Sequence, residues 1–262
     1  MDSMKAYFEL MNYREGLITY GRKVTLENPD RLSARELEAL TEKILTELDN
    51  IDVSLGQPPH PMNFRPHGID ENRVQELWLD FLDWYEIIKG PGVSILNYVK
   101  ENYSVQEYKN ILCVGDGQCS HIGRKLAARG HNVVSVDPVA RKEFSTKRDP
   151  KSGGKLHVVK GVFYKNSEDM INWADLIVGA KVPEFVEELI GIKKETVFNI
   201  SNNAEMYNMR FRGVPITSSS VLEAEIRKCK GVITKKYDRY GDDEDPILIF
   251  VSRPIEKGEK EL

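Results

Sequence analysis

The sequence predicts an α/β fold: a mainly parallel sheet covered by helices, ending in an antiparallel hairpin and preceded by an α-helical segment. Three observations carry this. From Asn110 onward, short apolar runs alternate with helical patterns, as a parallel sheet covered on both faces requires. The stretch NILCVGDGQCSHIGRKLAARGHNVVSVDP, Asn110 to Pro138, reads as strand, glycine turn, helix and strand. The last two apolar runs, Val232 to Tyr237 and Ile247 to Val251, are joined only by the acidic segment Asp238 to Pro246. A connection that short holds no crossover helix, so the two runs form an antiparallel hairpin.

The first 54 residues read as helices. Tyr7, Phe8, Leu10, Met11, Leu17 and Ile18 suggest one amphipathic segment, and Asn28-Pro29-Asp30 breaks it. Ser33 with Glu36 has the spacing of a capping box, followed by Leu37, Leu40, Ile44 and Leu48 at helical spacing. Gln57 to Ile69 (QPPHPMNFRPHGI) is a proline-stiffened loop carrying His60, Asn63, Arg65 and His67: a substrate edge or a plain surface connection. Glu71 to Lys89 is a helix whose Val74, Leu77, Trp78, Phe81, Leu82 and Tyr85 form an apolar side, read as core. Val93 to Tyr103 adds a short helix. Ser104 and Glu107 repeat the capping-box spacing. The boundary falls near residue 104, giving a helical cap domain at 1–104 and a ligand-binding domain at 105–262.

In the central unit, Ile111, Leu112, Cys113 and Val114 form a buried strand, and Gly115-Asp116-Gly117 breaks it. Ile122, Leu126 and Ala127 give the next helix its apolar face, and Gly130 is placed to end it in a left-handed cap. Val133, Val134 and Val136 form the second strand, with Asp137 at its tip, 20 residues after Gly117. Such a unit has a definite use. Glycines let backbone approach a ligand, a helix N-terminus favours an anionic group, and the acid can hold a ribose diol.

A basic stretch follows, with Arg141, Lys142, Lys147, Arg148, Lys151 and Lys155 against Glu143 and Asp149. It is a solvated loop or a patch for phosphate or an acidic substrate. Phe144 is its one aromatic, which weakens a single-stranded nucleic-acid platform. Leu156 to Phe163 reads as the third strand, Glu168 to Trp173 as a helical turn, and Asp175 to Val178 as the fourth strand. Gly179-Ala180-Lys181-Val182-Pro183 follows it, then a helix with Phe185, Val186, Leu189 and Ile190. Thr196 to Ile200 is the fifth strand, Pro215 to Ser220 a turn and Val221 to Lys228 a helix.

Composition bounds the classes. The 262 residues are 40% hydrophobic and 30% charged, ordinary for a soluble globular chain, and the net charge of −4 gives no overall reason to expect a nucleic-acid partner. No apolar run approaches the roughly 20 residues of a membrane helix, and the opening MDSMKAYFEL lacks the regions of a signal peptide. Cys113, Cys119 and Cys229 are too scattered for a disulfide framework, which favours the cytoplasm. A homodimer is compatible with the sequence but is not specified by it.

At this point the chain resembles the class I S-adenosylmethionine-dependent methyltransferases, a Rossmann-like family whose seven-stranded sheet ends in such a hairpin. The resemblance covers about residues 93–254. It implies that Gly115, Asp116, Gly117 and Gln118 hold the methionine part of S-adenosylmethionine. It implies that Asp137, with Pro138 beside it, holds the ribose, and that Gly161 to Tyr164, including Val162 and Phe163, lies near the adenine. Gly179 and the loop after it would face the methyl group. ADLIVGAKVP is also similar to small archaeal proteins of this fold. The chain departs from the family where Cys113 stands for an acid and Cys119 for a third glycine, and no acid follows the third strand. A nicotinamide-binding domain is the closest rival, through a loose GxGxxG match over Gly115, Gly117, Ser120 and Gly123. A non-catalytic nucleotide-binding or assembly module of the same fold is the third reading.

Catalytic candidates follow from chemistry. Asp116 stands in the turn, either within reach of an acceptor proton or as a turn former. His121 is a base over the site or a packed helix-start residue. Lys181 pairs an acidic substrate or is solvated. Cys119 and His121 have no second ligand pair, so no metal is expected. Asn199, Asn202 and Asn203 lie where the fifth strand opens. The expected acceptor is a small molecule.

Overall fold

The computed structural model describes residues 2–23, 29–54, 91–117, 120–140, 142–164, 167–179, 186–190, 192, 194–200, 210–217, 219–228, 232–237 and 248–254. The proline-rich loop, the aromatic helix at 71–89, Gln118, Cys119, Lys181, Asn202, Asn203 and the acidic segment 238–246 lie outside the described residues.

Helices α1 (Asp2–Arg22) and α2 (Ala34–Ser54) flank a short 3-10 turn at Pro29–Arg31. The capping box forms as its spacing predicts: Ser33 N donates to Glu36 Oε2 at 2.8 Å, and Glu36 N donates to Ser33 Oγ at 3.3 Å. Ile18, Ile44 and Leu48 make a small core between the two helices. Helix α3 (Pro91–Asn102) leads to β1 (Asn110–Val114), α4 (His121–Arg129) and β2 (Asn132–Asp137). Then come β3 (Phe144–Ser145), β4 (Lys155–Lys160), α5 (Glu168–Trp173), β5 (Leu176–Gly179), α6 (Val186–Ile190) and β6 (Thr196–Ile200). The chain continues through β7 (Arg210–Phe211), β8 (Val214–Pro215), α7 (Ser219–Arg227), β9 (Val232–Tyr237) and β10 (Leu248–Pro254).

The main sheet runs β3-β4-β2-β1-β5-β6-β10-β9. Strands β4, β2, β1, β5 and β6 are parallel, and β10 enters antiparallel to both β6 and β9. The seven expected strands are therefore present, closed by the hairpin, with the two-residue β3 added at one edge. The small β7–β8 ribbon stands apart. Both additions escape a sequence reading, because two residues carry no alternation to read. The β7–β8 turn has positive φ at Arg212 (50°) and Gly213 (83°), and only the glycine announces such a turn.

Side chains alternate across the sheet, so each face builds its own core. Ile111, Cys113, Val133, Leu156 and Val158 join Leu126, Ala127 and the α3 residues Ile95, Leu96 and Val99 on one face. Leu112, Val114, Val136, Ile177 and Phe198 join Leu189, Phe211, Leu222 and Ile226 on the other. The N-terminal segment is tied to the first face. Ala34 is fully buried there, Lys125 of α4 forms an ion pair with Glu38 of α2, and Ser33 Oγ bonds Asp149 Oδ2 at 3.2 Å. At the opposite end of the strands from the glycine turn, Tyr103 and Tyr108 donate their hydroxyls to the two oxygens of Glu195, at 2.8 and 3.2 Å.

Candidate active site

The strand order reverses at β1. The chain moves outward through β2 to β4 and then returns to β5 on the other side of β1. A crevice opens at the carboxyl ends of strands where the order reverses, and ligands of open α/β sheets bind there. Gly115 and Gly117 lie at the end of β1 with φ of 71° and 72°. Gly179 ends β5, in register with Val114. Gly115 N donates to Val136 O at 3.1 Å, fixing the turn to the end of β2.

Asp137, at the tip of β2, is 5% exposed. Its Oδ2 accepts the Gly117 N–H at 2.7 Å and its Oδ1 accepts the Val139 N–H at 2.8 Å. Its carbonyl accepts from Gly161 N at 3.2 Å, just beyond β4. One residue thus joins the glycine turn to the ends of two strands. A carboxylate has about four acceptor sites, so two remain after these bonds.

Asp116 turns the other way. It is 7% exposed and accepts N–H bonds from Ile122 (2.7 Å) and Gly123 (2.8 Å), plus the Ser135 hydroxyl at 3.0 Å. It caps the first turn of α4 with a carboxylate, the charge sign that a helix N-terminus favours. Burial raises its pKa to about 7. The three hydrogen bonds oppose that shift, and the nearby charge of Asp137 adds to it. Ser120, the formal N-cap residue, has φ of 49° and makes no side-chain cap. The carboxylate six positions before Ile122 therefore does what a Ser at the cap usually does.

His121 begins α4 and is 8% exposed, with its Nε2 unpartnered. Burial, then the charges of Lys125, Arg124 and Lys100, push its pKa down to about 3. A base that weak is poorly matched to proton abstraction near neutrality. Cys113 lies in the core beneath the turn, and burial pushes its thiol pKa well up. Among the described residues, no three His, Cys, Asp or Glu side chains are grouped to hold a metal ion. None of the described helices is long and apolar enough to cross a membrane.

The segment after β4 divides. Phe163 is 2% exposed and belongs to the core with Leu112, Val114 and Val136, so its ring is unavailable to a ligand. Val162 (42% exposed) and Tyr164 (54%) are open to solvent, as is Val139 (57%) beside the tip of β2. These three apolar side chains follow the ends of the adjacent strands β2 and β4. Val139 was not legible as a site residue. Its only signal is its place two positions after the strand-ending acid.

No family model matches the chain, and no curated protein matches it. Solved structures do. The methyltransferase domain of the bacterial protein CtHen1-CN is 13% identical with a TM-score of 0.43, over 62% of this chain and 99% of that one. The mitomycin 7-O-methyltransferase MmcR is 14% identical with a TM-score of 0.41, over 84% and 68%. An S-adenosylmethionine-dependent methyltransferase from Clostridium acetobutylicum ATCC 824 is 10% identical with a TM-score of 0.41, over 68% and 98%. The fold assignment rests on strand order and register, which stand without these likenesses.

Proposed function

We propose that the chain is an S-adenosylmethionine-dependent transferase, in its simplest form a methyltransferase acting on a small molecule. The observation that supports it most is the joining of Gly117 to Asp137 at the carboxyl ends of β1 and β2, beside the reversal of strand order. A buried acid with two acceptor sites left, next to a glycine turn, suits a ribose diol. Among the described residues, a Cβ at Gly117 would meet nothing within 4 Å, which leaves room above the turn for a ligand. Val139, Val162 and Tyr164 offer exposed apolar surface for an adenine ring.

The residues fit the cofactor. Gly115 and Gly117 would carry its amino-acid part, Asp137 its ribose and the three exposed apolar side chains its base. When bound, S-adenosylmethionine supplies a methyl group on a sulfonium leaving group. The protein's own task is then alignment and exclusion of water. Asp116 serves that task indirectly, by fixing the turn on α4. The N-terminal helices, docked on α4 through α2, would cap the crevice and select the acceptor.

The terminal hairpin favours this reading over a nicotinamide enzyme, since β10 runs antiparallel where a dinucleotide fold would continue with parallel strands. Calorimetry with S-adenosylmethionine and its demethylated product tests the proposal, alongside fluorescence titration with NADH. Binding of the sulfonium or its product is the expected outcome. NADH binding in its place would move the chain to the oxidoreductases, and a melting temperature unmoved by any nucleotide would leave a non-catalytic module.

A further inference from the structure

Helix α1 contains Gly16 and Gly21, and the two stand in different surroundings. Gly21 is buried, as are Arg14 and Ile18, whereas Gly16 is exposed. A glycine inside a helix costs stability relative to alanine, so a packing or backbone reason is expected for it. Gly16 finds none within its own chain. It lies six residues before the end of the helix, so it is not a cap. It is not among the glycines with positive φ. Among the described residues, a Cβ at this position would meet nothing within 4 Å.

Tyr13 and Tyr20 flank Gly16, three positions before it and four after, which puts all three on one face. The two tyrosines are 52% and 51% exposed, so the glycine forms a notch between two large solvent-facing rings. The Tyr13 hydroxyl donates to Glu47 Oε2 at 3.3 Å, which anchors that ring to α2. At about 100° per residue, Glu9 and Lys23 fall in the same arc, roughly 80° wide, and both are exposed. The buried Arg14, Ile18 and Gly21 occupy a separate arc.

We propose that this stripe of α1 binds a second copy of the chain, the two helices crossing antiparallel at Gly16 with each backbone seated between the other's Tyr13 and Tyr20. The stripe is complementary to itself about that point. Around a two-fold axis, residue i meets j and j meets i. With Gly16 opposite Gly16, Glu9 faces Lys23 of the second copy, each seven residues or about 10.5 Å from the crossing. Tyr13 comes opposite Thr19 and Tyr20 opposite Asn12, so each ring meets a smaller exposed side chain. A parallel pair would instead set Glu9 against Glu9 and Lys23 against Lys23. Glycine at the crossing lets the axes come closer than the roughly 8–10 Å of ordinary helix pairs. One pair of helices lies at the small end of specific interfaces, so the dimer is a weak one, in the micromolar range. It draws on no ligand, so it stands or falls apart from the transferase reading.

Sedimentation equilibrium on the whole chain, from about 1 to 300 μM, tests this and should show a monomer–dimer equilibrium. Tyr13→Ser with Tyr20→Ser should weaken association about tenfold or more. Gly16→Leu should weaken it as much while raising the melting temperature of the dilute protein, because leucine is the better helix former. A glycine kept for the monomer's own sake would lower that temperature instead, against the proposal. Glu9→Lys should weaken the dimer several-fold, and adding Lys23→Glu should restore it. A monomer at every concentration, which would leave the stripe to a different protein, would overturn the proposal. So would a dimer indifferent to Gly16→Leu and to the tyrosine pair, or a charge exchange that fails to restore association.

Discussion

Gly123 and Asp116 are in contact where helix meets glycine turn: the Gly123 N–H donates to Asp116 Oδ2 at 2.8 Å, and a Cβ at 123 would sit 2.9 Å from that same oxygen. The same Cβ would lie 3.0 Å from Leu156 Cδ1. Neither neighbour is free to move, since three hydrogen bonds hold Asp116 and Leu156 is fully buried. Gly123→Ala should therefore destabilise the fold by about 1–3 kcal/mol, although alanine is the better helix former. Urea denaturation measures it. An unchanged or raised midpoint would mean that helix and strand can separate there at no cost.

The same carboxylate gives the fold a pH dependence. Its folded pKa, about 7, lies above the ordinary aspartate value of 3.8. A group shifted upward contributes stability that is present below its unfolded pKa and is lost as pH rises through the folded one. This site should therefore cost the protein on the order of 3 kcal/mol between pH 4 and pH 7. Asp116→Asn removes the titration. It also leaves a backbone N–H facing an amide, so it should be less stable at low pH and show a flatter profile. Thermal unfolding across that range, wild type against variant, would show parallel curves if Asp116 did not titrate there.

How far the sequence could be read follows from the reach of each signal. The glycine turn, the second strand with Asp137 and the Gly130 cap are local patterns, and each is found where it was read. Gly130 adopts φ of 118°, and its N–H bonds Ala127 O. The Ser33–Glu36 box is equally local. What failed to show was pairing over distance. Ser33 reaches Asp149 across 116 positions, and Asp116 reaches Ser135 across 19, so its role as the cap of α4 could not be told from a turn former's. Phe163 and Val162 looked alike as an apolar pair. The end of the ladder at Lys160 sends one into the core and the other to solvent.

The Tyr103–Glu195–Tyr108 cluster fastens the segment before β1 to the start of β6. Tyr103 is 5% exposed, and burial, then its bond to Glu195, raises its phenol pKa. The Tyr103 and Tyr108 rings meet edge to face at 4.8 Å. Glu195→Ala strands two hydroxyls at once and should cost about 2–4 kcal/mol, against about 1 kcal/mol for Tyr108→Phe, which removes one bond. The cluster lies at the far end of the strands from the crevice, so ligand affinity should be unchanged in both. Loss of binding in a variant that still melts cooperatively would show that the two ends of the sheet are coupled.

Asp137→Ala removes the residue that holds the glycine turn and the one proposed to hold the ribose. Two effects should therefore appear together. Gly117 and Val139 lose their acceptor, which lowers stability by about 1–3 kcal/mol, and binding of the demethylated cofactor product weakens by a similar 1–3 kcal/mol. Asp137→Asn separates them. Its amide oxygen can still accept from one of the two N–H groups, so part of the stability returns, while the charge-assisted bonds to a diol are gone. Calorimetry on the two variants should thus show similar losses of affinity at different melting temperatures. If affinity instead followed melting temperature, or if neither variant lost affinity, the carboxylate would be a clasp for the turn and nothing more, and the ribose would have to be held elsewhere.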